Sequence, residues 1–224
     1  MTAVRPPELA PRLPYAALLL AADRLVLADT FAFSRQSGHS RMRIATAQGT
    51  AWLSVPRHHG GLGVPLDRVE IAGDAWRVRH RRAVQAAYGR APFYEHVAPE
   101  WDAVLDTPGS LADLTAASVR WAARWLRAPA EVVRASALPG APARLGAVLD
   151  GVRPGALLTL PESAARDAAA MAERGGDTFV LRLGGGLDPA LSVLDLVMAH
   201  GLGAADVLRA ALTVEPARSP PPGA

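Results

Sequence analysis

The sequence predicts an α/β fold: a single domain of mixed sheet with flanking helices. Three observations predict it. Short apolar runs of strand length alternate with segments of helical period. Half of the residues are hydrophobic and a fifth are charged, the balance of a globular chain. The length of 224 residues suits one domain with a substantial core. That domain is expected over residues 1–216, and the Pro-rich "ARSPPPGA" at 217–224 reads as a disordered tail.

The elements follow in order. "RPPELAPRLP" is too rich in proline for a helix or an inner strand and reads as a defined loop. "YAALLLAAD" suits a short buried helix, and "RLVLAD" a strand. "RMRIATAQGTAWLSVP" alternates around Gln48-Gly49 and reads as a β-hairpin. "RHHGGLGVPLD" is a loop and "RVEIAG" a further strand. "DAWRVRHRRAVQAAYGRAP" is helical, with Trp76, His80, Val84 and Tyr88 on one face and Asp74 placed to cap its start. "SLADLTAASVRWAARWL" is a second helix, opened by a Ser110/Asp113 capping box and packed through Leu111, Leu114, Ser118, Trp121 and Trp125. "EVVRASAL" reads as a strand before the connector "PGAPARLG". Helix "ARLGAVLDGV", strand "ALLTL", helix "ESAARDAAAMAERG", strand "TFVLRL", turn "GGGLDP" and helices "ALSVLDLVMAHG" and "AADVLRAAL" complete the order. No internal repeat interrupts it.

Composition excludes several chemistries. The chain has no Cys, Lys or Asn, so all 24 basic residues are Arg. Without Cys there is no thiol nucleophile and no thiolate ligand; without Lys there is no Schiff base and no P-loop lysine. The net charge is only +3, and no aromatic-interleaved basic stripe accompanies it, so a nucleic-acid partner is not expected. Asp23, Arg24 and Asp29 break the most apolar stretch too early for a membrane span. No signal-peptide pattern opens the chain, and a soluble cytoplasmic protein is expected.

The residues able to carry chemistry each admit two readings. Arg35, Arg41 and Arg43 could cradle a phosphate or carboxylate, since guanidinium presents a planar fork of donors. Arg41 and Arg43 alternate along one strand and so point the same way. The competing reading is a solvated hairpin face. Asp29 ends an apolar strand, where α/β sheets bind ligands. It is a candidate general base or a metal ligand together with waters, or else a turn cap. His80 lies on the Trp76/Val84/Tyr88 stripe, either as an acid or base or as a core histidine. Tyr88 could line the same pocket or simply pack. His58-His59 lacks a third ligand at metal spacing, so no metal site is assigned. "GGGLD" lacks the helix start of a dinucleotide motif. Ser192 and Asp195 read as a cap.

The order of these segments resembles the WbqC-like family. That family opens with a Gln-Pro-x-x-x-Pro-Trp loop, a helix with Gly-Tyr, Ala-Asp, and an apolar strand ending in Asp. Here Pro7, Pro11, Tyr15, Asp23 and Asp29 fall on the matching positions. Its Asn-Arg-Asn-Arg-Ile signature is matched by Arg41, Arg43 and Ile44 after Phe33 and Arg35, and "WLSVP" follows. Trp76, His80, Tyr88, Pro92, Phe93 and the helix "LSVLDL" extend the likeness. Four positions depart from the pattern: Pro6 stands for Gln, Arg12 for Trp, and Ser40 and Met42 for the two Asn residues. The Ser-Gly-Pro-Gly-Gly and His-Pro-x-Tyr segments have no counterpart.

The resemblance implies a bacterial protein of polysaccharide or specialised-metabolite biosynthesis. It implies a transferase of an acyl or aminoacyl group to an amine, with Asp29 or His80 as base. Arg35, Arg41, Arg43, Tyr15 and Tyr88 would hold the substrate. The departures favour an alternative, an accessory or small-molecule-binding member that works with a partner biosynthetic enzyme. A nucleotide-binding α/β domain is a third possibility that rests on fold analogy alone. No cofactor and no oligomeric state are implied.

Overall fold

The chain's first strand is the middle of its main sheet. The computed structural model describes residues 1–35, 37–58 and 63–217. Strand β1 (Thr2–Arg5) pairs parallel with β2 (Arg24–Leu27) through helix α1 (Leu13–Ala21). A separate antiparallel hairpin follows, β3 (Arg41–Thr46) and β4 (Gly49–Ser54). Three helices come next: α2 (Ala75–Tyr88), α3 (Tyr94–Leu105) and α4 (Leu111–Trp125). Strand β5 (Glu131–Arg134) then joins the far side of β2. After α5 (Leu145–Val152), β6 (Ala156–Thr159) returns to the other side of β1. Helix α6 (Ala164–Ala172) leads to β7 (Asp177–Leu183), parallel to β6. Helices α7 (Val193–His200) and α8 (Ala204–Ala211) precede β8 (Leu212–Pro216), which runs antiparallel to β7. The six-stranded order is β5-β2-β1-β6-β7-β8, a mixed sheet flanked by helices, as the sequence predicts.

Strand alternation splits the core in two. Ala3, Leu25 and Leu27 face the larger core with α1, α4, α7 and α8. Val4, Val26, Ala28 and Leu157 face a smaller one with Val148 and Leu149 of α5 and Met171 of α6. Trp76, Trp101 and Trp121 are fully buried in the larger core. No described helix is long and apolar enough to cross a membrane.

This topology fixes where a ligand fits. From β1 the chain moves outward through β2 to β5, then returns to the opposite side of β1 at β6. The strand order therefore reverses between β1 and β6. In an open parallel sheet, the crevice beyond the carboxyl ends of such a pair is the ligand site.

Several local expectations hold and several do not. The hairpin forms, and the Ser110/Asp113 capping box is complete, with bonds of 3.2 and 2.8 Å. Asp74 does not cap α2; its carboxylate bonds Arg77 instead. "RVEIAG" is not a strand: Leu66–Arg68 form a 3₁₀ turn, and Glu70 and Ile71 make only isolated bridges. The "EVVRASAL" strand stops at Arg134 and passes into a 3₁₀ turn at Ala135–Ala137. Strands β1 and β8 and helix α3 lie where no element was predicted. The tail from 218 onward and His59 lie outside the described residues.

Candidate functional site

A cavity of about 960 Å³ opens beyond the carboxyl ends of β1 and β6. Its floor is the loop after β1. Arg5 ends that strand and is buried. Its guanidinium bonds Ser163 and pairs with Glu162 at 3.0 Å, both from the turn after β6. The two strands at the reversal are thus joined by charge at their ends. Three residues on, buried Glu8 accepts from the Arg12 backbone N–H at 3.1 Å and pairs with the Arg12 guanidinium at 2.9 Å. Arg12 also reaches Glu162 at 3.5 Å. Burial pulls the Arg12 pKa down, but Glu8 and Glu162 leave it raised overall. A ladder of Arg5, Glu162, Arg12 and Glu8 results.

Close packing and hydrogen bonds define this floor. Ala10 has φ of 39°, a conformation that costs a non-glycine residue energy. Its N–H donates to the buried Ser118 hydroxyl at 2.7 Å, which fixes the turn. A Cβ at Gly38 would stand 2.9 Å from the Glu8 carboxyl carbon, so glycine there lets the upper loop close on the floor. The Leu9 N–H bonds the Gly38 carbonyl at 2.9 Å.

The hairpin forms one wall. Met42 and Ile44 point into the core, so Arg41 and Arg43 take the opposite face. Both line the cavity. Trp52 stands opposite Arg43 in the register, and its ring lies 4.6 Å from the Arg41 guanidinium carbon. Arg43 donates to the Thr50 hydroxyl at 3.0 Å. The α7 start braces this wall: the Ser192 N–H bonds the Arg43 carbonyl at 3.0 Å, and the Val193 N–H bonds Pro11 at 2.8 Å. Arg144 and Arg166 complete the lining.

The charges do not balance. Arg5 and Arg12 are neutralised by Glu162 and Glu8, and Arg166 pairs with Asp167 at 2.7 Å. Among the described residues, Arg41, Arg43 and Arg144 make no ion pair, and the buried Arg41 Nε has no hydrogen-bond partner. Three uncompensated guanidinium groups in one cavity suit a ligand with several negative charges.

His39 also lines the cavity and is buried. Its Nδ1 lies 3.0 Å from the Pro7 carbonyl. A carbonyl only accepts, so Nδ1 carries the proton and Nε2 keeps a lone pair. Burial holds the His39 pKa below its ordinary value, against the Pro7 bond, which raises it. The ring is a free base at neutral pH. Among the described residues, no three His, Asp or Glu side chains gather as a metal centre.

The residues singled out from sequence separate into two groups. Arg41 and Arg43 line the cavity. Arg35 is exposed on the preceding loop and is not part of the lining. Asp29 is fully buried at the end of β2, where both oxygens are engaged. It accepts from Arg134 Nε at 2.5 Å, the Ser136 N–H at 2.9 Å and the Ser136 hydroxyl at 2.6 Å. His80 is buried, with Nε2 donating to the Ser54 carbonyl at 3.2 Å and its ring edge-on to Trp76. Its desolvation lowers the pKa to about 4. The Tyr88 hydroxyl donates to Asp195 at 2.7 Å, and Asp195 also accepts from the Ala45 N–H at 2.8 Å. Burial and then Asp195 push the Tyr88 pKa up. Tyr15 is fully buried in α1 with an unpartnered hydroxyl, its pKa raised by burial and by Glu8. None of these four lines the cavity.

Sequence reasoning missed Arg5, Glu8, His39, Arg144, Glu162 and Ser163. The signal available was slight: "TAVR" is a four-residue stretch ended by a Pro-Pro loop that cannot continue an inner strand.

The family model of the WbqC-like protein family matches residues 6–155. The match includes the cavity floor, the hairpin wall and Arg144, and it ends just before β6. The likeness of "LSVLDL" lies outside it. No curated protein and no solved structure matches the chain.

Proposed function

The chain belongs to the WbqC-like protein family, and from that premise we propose that it is a transferase that moves an acyl or aminoacyl group to an amine. The observation that carries the reading is the set of three arginines, Arg41, Arg43 and Arg144, that make no ion pair among the described residues and line a cavity at the sheet's reversal point. They hold the anionic part of the donor. His39 takes the role the sequence suggested for Asp29 or His80, because it alone of the three lines the cavity with a free ring nitrogen. As the acceptor nitrogen attacks the donor carbonyl, His39 Nε2 takes its proton. The bond to the donor's leaving group then breaks, and that group departs with the electron pair.

The test is a thermal-shift screen of acyl-CoAs, sugar nucleotides and amino acids against the wild type and the Arg41→Ala/Arg43→Ala variant. A ligand at 100 times its Kd stabilises the native state by about 2.7 kcal/mol. That is roughly 5–10 °C for a domain of this size. The shift should vanish in the variant, and mass spectrometry of a hit mixed with amine acceptors should find the transferred group. A ligand that shifts both proteins equally would sink the cradle.

One observation favours the accessory reading. Two of the positions that depart from the family pattern, Pro6 and Arg12, line the cavity itself, and Met42 borders it with its side chain in the core. Arg12 also fills part of it with its pairs to Glu8 and Glu162. Binding without turnover, together with a stable complex with a neighbouring biosynthetic enzyme, would select this reading.

A further inference from the structure

Trp52 is exposed over 54% of its surface, whereas Trp76, Trp101 and Trp121 are fully buried. It sits on the hairpin face that also carries Arg41 and Arg43, and it lines the cavity with them. The Arg41 guanidinium carbon lies 4.6 Å from the centre of its ring, a cation–π contact. An indole this exposed leaves much of its flat apolar surface in water, where it can receive a planar ring. A pyrophosphate group would occupy only a small part of a cavity of about 960 Å³. The volume and the pairing of a flat platform with unpaired cations both fit an anion joined to a planar ring.

We propose that the cavity takes a nucleoside diphosphate moiety, with its phosphates on Arg41, Arg43 and Arg144 and its base stacked at Trp52. The inference rests on the anion-cradle reading and names the chemistry of that anion. Two sources share this chemistry: the ADP portion of a coenzyme A thioester donor and the UDP-type portion of a nucleotide-sugar acceptor. The stack does not choose between them; the arms of the experiment do.

The experiment is calorimetric titration of the full chain with inorganic pyrophosphate, ADP and UDP, with tryptophan fluorescence recorded in parallel. The wild type should bind ADP or UDP about tenfold more tightly than pyrophosphate, since a base stacked on the indole adds affinity that the phosphates alone do not supply. Nucleotide binding should quench fluorescence, and pyrophosphate binding should not. Trp52→Ala should lower nucleotide affinity to that of pyrophosphate and leave pyrophosphate affinity unchanged; Trp52→Phe should restore part of the difference. Preference for ADP selects the thioester source, and preference for UDP the nucleotide sugar. Pyrophosphate binding with no gain from a base, or nucleotide affinity unchanged in Trp52→Ala, overturns the stack and leaves the cradle standing. No binding of any of the three overturns the cradle and the stack together. Trp52 is exposed, so the circular dichroism and Tm of the variants should match the wild type and confirm that they are folded.

Discussion

His39 and His80 make the same local bond in two different places. Each is buried, and each places one ring nitrogen against a backbone carbonyl, Pro7 at 3.0 Å and Ser54 at 3.2 Å. For His80 the second nitrogen, Nδ1, is buried without a partner and its ring packs against Trp76. For His39 the ring borders the cavity. The difference is what surrounds the group, not the group itself. The same contrast separates Asp29 from Arg41 and Arg43. Asp29 has its oxygens filled by Arg134 and Ser136, while the two arginines face open volume without a carboxylate. A polar side chain whose bonds are all made internally is a structural part. One left with a vacant donor or acceptor beside a cavity is available for chemistry.

The contrast breaks most easily at Asp29. Asp29→Ala removes one of the two carboxylate partners of half-buried Arg134, which keeps Asp113 at 2.6 Å, and leaves the Ser136 N–H and hydroxyl without their acceptor. Losing the hydrogen bonds to a buried carboxylate costs about 3 kcal/mol, a fall in Tm of roughly 6–12 °C. Differential scanning calorimetry checks this. A variant that keeps its Tm but loses turnover would move Asp29 into the catalytic group.

The next effect is the acid sensitivity of His80. Its folded pKa of about 4 lies below its ordinary value of 6.5, so the unfolded chain binds more protons between those two values. Stability therefore rises with pH through that window, is fully present above pH 6.5, and is lost as pH falls toward 4. A shift of that size corresponds to about 3 kcal/mol. His39, also lowered by burial, adds to the slope in the same sense. His80→Gln keeps a donor for the Ser54 carbonyl and cannot titrate. Urea unfolding at several pH values should give a clearly shallower slope for the variant, and an unchanged slope would refute the assignment.

Tyr88→Phe tests the same rule at the joint between α2, β3 and α7. Asp195 loses the Tyr88 hydroxyl but keeps the Ala45 N–H at 2.8 Å and the Ser192 hydroxyl at 3.1 Å. The expected loss is about 1–2 kcal/mol in denaturant unfolding. Affinity for any ligand of the cavity should be unchanged. A fall in affinity without a fall in stability would bring Tyr88 into the site.

What was legible in the sequence follows local rules, and what was not follows topology. Strand alternation was enough to put Arg41 and Arg43 on one face. The Ser110/Asp113 box was readable because both of its bonds span three residues. Strand β1 was missed because four residues before a Pro-Pro loop carry little periodic signal; its pairing with β2 and β6 comes from sequence-distant partners. Helix α3 was missed because Pro99 lies inside it; burial of Val97, Trp101 and Leu105 supports it. Asp29 drew attention through the rule that ligands sit at strand ends. That rule selects the ends where the strand order reverses, β1 and β6, whereas the end of β2 is covered by Arg134 of β5. His39 and Glu162 converge only because the sheet brings residues near 5, 39 and 162 to one crevice.

The smallest effect is the sharpest test, because it involves no change in stability. The two histidines must hold opposite tautomers. Pro7 can only accept, so the His39 proton is on Nδ1; Ser54 can only accept, so the His80 proton is on Nε2. A long-range proton–nitrogen NMR spectrum of the uniformly labelled protein at neutral pH separates the two forms, and His39→Gln and His80→Gln assign the signals. Opposite tautomers, with His39 Nε2 unprotonated, give the cavity a base with its lone pair available. A His39 proton on Nε2 would leave the ring no lone pair toward the amine. The proton acceptor would then be Glu162, the carboxylate nearer solvent at the cavity wall, with a side chain 49% exposed.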